Sequence, residues 1–205
     1  MDPAVSFVQA YLYANGYFTV TEYPIAEQVA PGAYRSSTDV DLLAVRFPGA
    51  VRLVPADGRD VQERRLLLSD PNLDNSDDRV EFIIAEVKEG RAELNRGARD
   101  PAVLRTALAR FGAFAGDDLD GLVRELIRKG KVVTPAGARI RLMAFGAYED
   151  PKRTANWTVV TLAQVVDYLT SMAEQYADLA SALQFKDPAI GMLSVLLKAK
   201  MGRRS

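Results

Sequence analysis

The chain has 205 residues, of which 48% are hydrophobic, and its formal net charge at neutral pH is -1. This length and composition predict one domain with elaborations and enough apolar side chains for a core. The near-neutral charge excludes a protein that is basic overall, so any nucleic-acid-binding surface has to be local.

The sequence contains neither cysteine nor histidine. Thiol nucleophiles, cysteine–histidine zinc sites and histidine-based triads are therefore excluded. Metal chemistry would have to use oxygen ligands, which favours Mg²⁺ or Mn²⁺. Because no disulfide can form, and because there is no signal-like N-terminus and no apolar run long enough to span a bilayer, we expect a cytoplasmic protein without a membrane partner.

The chain begins with a predicted helix over residues 4–15, with Asp2 as a cap and Pro3 in the first turn. Residues 17–25 alternate between polar and apolar side chains, as a half-buried strand does. Residues 28–37 are predicted to be a loop because they contain a Pro-Gly turn signal.

The next strand is predicted over residues 38–45, where the period of two places Asp39 and Asp41 on one face. Residues 51–54 are expected to return as its hairpin partner. Residues 52–80 are expected to form an insertion, a solvated excursion from the core.

Residues 82–88, Phe-Ile-Ile-Ala-Glu-Val-Lys, predict a buried strand in which Glu86 and Lys88 share a face. Such charged groups are costly to bury unless they are paired or bind a metal. If this strand lies beside the one that carries Asp41, the facing carboxylates would suit a hard divalent cation. The simpler interpretation is an ion pair between Glu86 and Lys88 at the end of a strand.

The second half of the chain is predicted to alternate between helices and strands. Helices are expected over residues 102–111 and 117–129, followed by strands over residues 131–134 and 138–148. A short strand is expected over residues 157–160. Two further helices, over 162–182 and from Asp187 to about Lys200, complete the chain.

Asp41-Leu-Leu-Ala followed by Ile-Ala-Glu86-Val-Lys88 resembles the PD-(D/E)XK nuclease superfamily, which includes many restriction enzymes. The resemblance covers about the first half of the chain, and the order of helices and strands there is also the family's. It implies an α/β fold with a restriction-endonuclease-like core, which is a central mixed β-sheet flanked by helices, with added C-terminal helices. The nuclease-like domain would span residues 1–150, with residues 151–205 as a helical extension packed on it.

The resemblance also implies a function, namely Mg²⁺- or Mn²⁺-dependent hydrolysis of phosphodiester bonds in DNA. Asp41, Glu86 and the backbone carbonyl of Val87 would hold the metal, with Asp39 as a spare ligand. Lys88 would lie beside the attacking water. Asp41, Glu86 and Lys88 are therefore the expected catalytic residues.

The resemblance extends to partners and leaves a second function open. Arg91, Arg96 and Arg139 are candidate contacts for DNA phosphates, and many such nucleases dimerise, so a homodimer is possible. Many members carry a glutamate on the first helix, where this chain has Gln9. That departure motivates the alternative of a catalytically inactive nuclease-like fold that acts as a nucleic-acid-binding or protein-binding module.

Overall fold

A computed structural model of the chain describes residues 2–58, 62–66, 69–75, 78–114, 118–152, 155–177 and 188–201. The α-helices of these residues are α1 (Pro3–Ala14), α2 (Pro101–Phe111), α3 (Leu119–Lys129), α4 (Leu162–Gln175) and α5 (Pro188–Met201). The strands are β1 (Phe18–Ala30), β2 (Ala33–Arg46), β3 (Arg52–Val54), β4 (Arg64–Leu66), β5 (Glu81–Val87), β6 (Lys131–Val133), β7 (Arg139–Gly146) and β8 (Thr158–Thr161).

Six of these strands form one mixed sheet in the order β1-β2-β5-β7-β6, and β8 also pairs with β7. Strand β2 is antiparallel to both β1 and β5, whereas β5, β7 and β8 run parallel. Parallel neighbours need a crossover connection, which α2 and α3 provide between β5 and β7. Strand β5 therefore lies in the middle of the sheet, with β2 on one side and β7 on the other.

Helices cover both faces of the sheet, which is why every residue of β5 is buried. Ile83 and Ala85 belong to the core cluster formed with α1, α4 and α5. Phe82 and Ile84 belong to the cluster formed with α2 and α3. The prediction of an α/β protein with a mixed sheet flanked by helices is thus confirmed.

The helix ends follow local signals in the sequence. The Asp2 side chain accepts a hydrogen bond from Ala4 N at 2.7 Å and begins α1, as predicted. A capping box between Thr161 and Gln164 begins α4. Gly130 ends α3 with φ of 71°, and a Cβ there would lie 1.7 Å from a backbone oxygen, so only glycine fits this turn.

The prediction of a loop over residues 28–37 is wrong. Strands β1 and β2 continue as one long antiparallel hairpin, paired from Phe18–Val45 out to Ala30–Ala33 around the Pro-Gly turn. Most side chains of its outer part are exposed. This arm therefore lacks the apolar alternation by which strands are recognised in a sequence, and its backbone ladder holds it together.

Two expectations about the insertion are also wrong. Strand β3 pairs with β4 in a separate two-stranded sheet and is not the hairpin partner of β2. The insertion is not solvated throughout either, because Leu66, Asp70 and Leu73 are buried. The Tyr11 hydroxyl of α1 donates a 2.6 Å hydrogen bond to Asp70 and ties this segment to the core.

The C-terminal segment contributes to the sheet and to the core. Strand β8 pairs with β7, and Tyr168 of α4 packs edge-on against Tyr11 of α1 at a centroid distance of 5.4 Å. Helix α4 ends at Gln175, and the predicted continuation to residue 182 lies partly outside the described residues, as does the predicted helix start at residue 117. Across the described part of the chain, no helix has both the length and the apolar character needed to cross a membrane.

Candidate active site

Asp41 and Glu86 lie on neighbouring strands at the same level of the sheet. The last paired residues of β2 and β5 at this end are Leu42 and Ala85, and Asp41 and Glu86 are one step further along. The Val87 N–H donates a hydrogen bond to Asp41 Oδ2 at 2.7 Å. The structure therefore brings together carboxylates that are far apart in the sequence.

The Glu86 carboxylate is almost fully buried, with 3% of its side chain exposed. The Lys88 ammonium contacts Glu86 Oε1, and the side-chain amide of Asn95 donates to the same oxygen. The ion pair of the simpler interpretation is therefore present. Lys88 itself is 39% exposed, so its ammonium is open to solvent beside a buried carboxylate.

A cleft of about 450 Å³ opens beside these residues. It is lined by Val5 of α1, by Val87 at the end of β5 and by Lys88 just after β5. The rest of the lining consists of five carboxylates, those of Asp2, Glu22, Asp39, Asp41 and Glu89. The lining is therefore strongly acidic, and an anion such as DNA would be repelled from it unless a cation were bound.

The two carboxylates are electrostatically perturbed in the same direction. Burial raises the pKa of Asp41, although the Val87 N–H and the Lys88 charge act against it. Burial also raises the pKa of Glu86, and the neighbouring Asp41 charge adds to this, while Lys88 and Asn95 oppose it. Burial lowers the pKa of Lys88, but its contact with Glu86 and the charge of Asp41 outweigh this, so the net shift is upward.

Three carboxylates of the cleft, Asp2, Glu22 and Glu89, were not among the predicted site residues. Asp2 was recognised only as a helix cap, yet α1 places it at the cleft, where its N–H donates to Glu22 Oε1 at 3.4 Å. Glu22 falls between the paired residues Thr21–Leu42 and Tyr23–Val40, which puts it level with Asp41. It has φ of 51°, an uncommon conformation for a residue with a side chain.

The predicted spare ligand, Asp39, is exposed and lines the same cleft as Asp41. Its charge contributes to the raised pKa of Asp41. Asp39 is thus part of the acidic lining, further from the buried Glu86 than Asp41 is along β2.

The structure separates the three predicted arginines. Arg139 lies at the other end of β5, beside Glu81, about 16 Å from the level of Glu86. Its guanidinium is held by Glu81 at 2.7 Å and by Asp74 at 3.1 Å. Arg139 therefore belongs to an ion-pair network remote from the cleft, and its contact with DNA phosphates stays a prediction.

Arg91 and Arg96 lie in the segment that follows β5. Arg91 is exposed and forms ion pairs with Glu93 at 2.5 Å and with Asp150 at 3.8 Å. Arg96 is exposed at the start of a 3-10 turn over Gly97–Arg99. That Arg91 and Arg96 contact DNA phosphates stays a prediction.

The predicted metal ligands form a small donor set. Among the described residues, no group of three or more acidic side chains is arranged to hold a metal ion. The predicted ligands are two carboxylates, from Asp41 and Glu86, and the Val87 carbonyl, and Mg²⁺ usually takes few protein ligands and keeps several waters. Comparisons of the chain with protein-family models, with curated proteins and with solved structures gave no match.

Proposed function

We propose that this chain is a Mg²⁺- or Mn²⁺-dependent nuclease of the PD-(D/E)XK type that hydrolyses phosphodiester bonds in DNA. One observation carries the proposal. The Asp41 carboxylate accepts a hydrogen bond from the backbone of Val87, the middle residue of Glu86-Val87-Lys88, 46 positions away in the chain. Asp41 and Lys88 thereby line one cleft, and Lys88 contacts the buried carboxylate of Glu86.

The topology supports the proposal. A helix, an antiparallel hairpin, a central strand with Glu-x-Lys at its end, a helical crossover and a parallel strand follow one another in α1, β1–β2, β5, α2–α3 and β7. This is the arrangement expected of a restriction-endonuclease-like core. The site would lie where β2 and β5 end their pairing, at the carboxyl end of the parallel strands.

Each proposed ligand has an oxygen to offer. Asp41 uses Oδ2 to accept the Val87 N–H, so Oδ1 is available for a cation. The contacts that the described residues make with Glu86 all fall on Oε1, which leaves Oε2. When bound, a divalent cation would supply an acidified water and polarise the phosphoryl group. It would also offset the burial and the neighbouring negative charge that raise the pKa of both carboxylates.

The residues of the chain would have the following separate roles. Asp41 and Glu86 hold the ion, and the Val87 N–H keeps the Asp41 carboxylate turned toward Glu86. The Lys88 ammonium lies between Glu86 and the open cleft, where it can donate a hydrogen bond to the attacking water or to a phosphate oxygen. Its fixed positive charge stabilises negative charge that develops during attack.

Cleavage of plasmid and branched DNA with Mg²⁺ or Mn²⁺ tests the proposal. The parent protein is expected to cut, and Asp41→Ala is expected to lose at least about a hundredfold in rate because one metal ligand is missing. Asp120→Ala is the matched control, because Asp120 is an exposed aspartate on α3, paired with Arg105 at 3.0 Å. Failure of the fresh parent protein to cut any of these substrates in either metal would refute the proposal.

The alternative is a binding module that keeps this fold without catalysis. The direct contact of Lys88 with Glu86 favours it, because that contact neutralises both groups. Gln9 favours it too, since its amide hydrogen-bonds to Thr19 at 3.3 Å where many nucleases of this type have a glutamate. Calorimetry with Mn²⁺ separates the two functions. Uptake that is lost in Glu86→Ala supports the nuclease, whereas no uptake by the parent supports the binding module.

A further inference from the structure

Asn95 joins the candidate metal ligand Glu86 to the loop that follows β5. Its Nδ2 donates to Glu86 Oε1, and its Oδ1 accepts the N–H of Ala98 at 2.6 Å. A backbone N–H can only donate, so the second bond fixes which end of the amide carries the oxygen. The NH₂ group must then point at Glu86, and the Asn95 side chain is held from both ends.

The loop around Asn95 has little room to shift. A Cβ at Gly97 would lie 3.2 Å from Asn95 Oδ1 and 3.3 Å from the Thr38 hydroxyl of β2. The turn is therefore packed between Asn95 and the strand that carries Asp41. The Arg99 guanidinium lies 5.8 Å from the centre of the Trp157 ring, which holds the far end of the turn.

We propose that Asn95 is a positioning residue of the cation site, one that holds Glu86 Oε1 so that Oε2 faces the ion. Partners of this kind fix the orientation of a metal-binding carboxylate. Lys88 contacts the same oxygen, but its side chain is 39% exposed, whereas Asn95 is anchored through Ala98. This role rests on the proposed nuclease function, because it presupposes a cation at Glu86.

Three variants of the full chain separate this role from a structural one. Asn95→Ser keeps a hydroxyl that can accept the Ala98 N–H but is too short to reach Glu86. Asn95→Ala loses both bonds. Asn72→Ala is the matched control, since the Asn72 amide donates to the Asp70 carboxylate at 2.9 Å, near the other end of α1.

The measurement is Mn²⁺ binding to each protein without DNA, by electron paramagnetic resonance, together with the melting temperature in EDTA. Both Asn95 variants are expected to bind Mn²⁺ about tenfold to a hundredfold more weakly than the parent. Asn95→Ser should melt near the parent, and Asn72→Ala should bind as the parent does. In cleavage assays, excess Mn²⁺ should restore much of the rate of Asn95→Ser.

Two results would overturn the role, and they are distinguishable. If the parent binds Mn²⁺ and Asn95→Ser binds it within about twofold, Asn95 does not position Glu86 for the ion, while the nuclease proposal stands. If the parent takes up no Mn²⁺ at all, the cation site and the role of Asn95 are both refuted.

Discussion

Replacing Asp41 by asparagine should stabilise the metal-free protein while it removes the proposed cation site. Asparagine has the same shape and keeps a carbonyl oxygen that can accept the Val87 N–H. What it removes is a negative charge that burial and neighbouring carboxylates disfavour, as the raised pKa of Asp41 indicates. Residues that a protein retains for function often lower the stability of the fold.

The size of the effect follows from the register of the sheet. Two unit charges about 6 Å apart repel by about 3 kcal/mol at an effective dielectric constant of about 20. Lys88, which contacts Glu86 and attracts Asp41, offsets most of this. We therefore expect Asp41→Asn to raise the free energy of unfolding by about 1 kcal/mol, or about 2–4 °C in melting temperature for a chain of this size.

Thermal unfolding followed by circular dichroism, in EDTA and in increasing Mn²⁺, measures this. In EDTA the variant should melt above the parent. At about 100 times its dissociation constant, Mn²⁺ should stabilise the parent by about 2.7 kcal/mol and leave the variant unchanged, so that the order reverses. Asp120→Asn, an exposed change on α3, should show neither the gain nor the loss of the metal response.

The pH dependence has a defined sign. Since the folded-state pKa of Asp41 is raised, its charge destabilises the parent fully above that folded-state pKa. As pH falls through it, Asp41 binds a proton more readily in the folded than in the unfolded protein, and the penalty disappears. The advantage of Asp41→Asn in EDTA should therefore shrink on acidification. A variant less stable than the parent in EDTA at neutral pH would refute this reasoning, because Asp41 would then be a net stabilising partner of Lys88.

Three further outcomes are expected. Lys88→Met should lower the cleavage rate by at least about a hundredfold but retain Mn²⁺ uptake, as cleavage assays and calorimetry would show. The control, Lys129→Met on the exposed face of α3, should leave both the rate and the uptake unchanged. Glu81→Leu leaves the buried Arg141 without the carboxylate that lies 3.2 Å from its guanidinium. It should lower the free energy of unfolding in urea by about 3–5 kcal/mol, and the Glu81→Leu/Arg141→Leu double variant should recover part of this loss. Equal loss in the double variant would argue against the ion pair as the cause. Gly130→Ala should lower the free energy of unfolding by more than about 2 kcal/mol in the same assay, which would make it one of the most destabilising single changes. The reasons are the positive φ of Gly130 and the clash of a Cβ with the Asn156 carbonyl. A near-neutral effect would contradict the tight turn.

Local signals determined much of this protein from the sequence alone. Caps and glycines marked the helices, since the groups that end a helix lie within a few residues of it. The apolar run before Glu86 and Lys88 marked a buried strand because a central strand is covered on both faces. The expectation that Asp41 and Glu86 lie on facing positions came from the same period of two, and their roles in catalysis stay predictions.

Only the tertiary structure decided which strands are neighbours and in which register. The outer arm of the β1–β2 hairpin escaped notice because it buries little, and β3 was given the wrong partner because its three residues carry no pairing information. Asp2 lies at the site because α1 begins there, and Glu22 because of the register between β1 and β2. Asn95 contacts Glu86 from the loop that follows β5. Periodicity shows which face a side chain occupies, but strand order and register decide what lies opposite it.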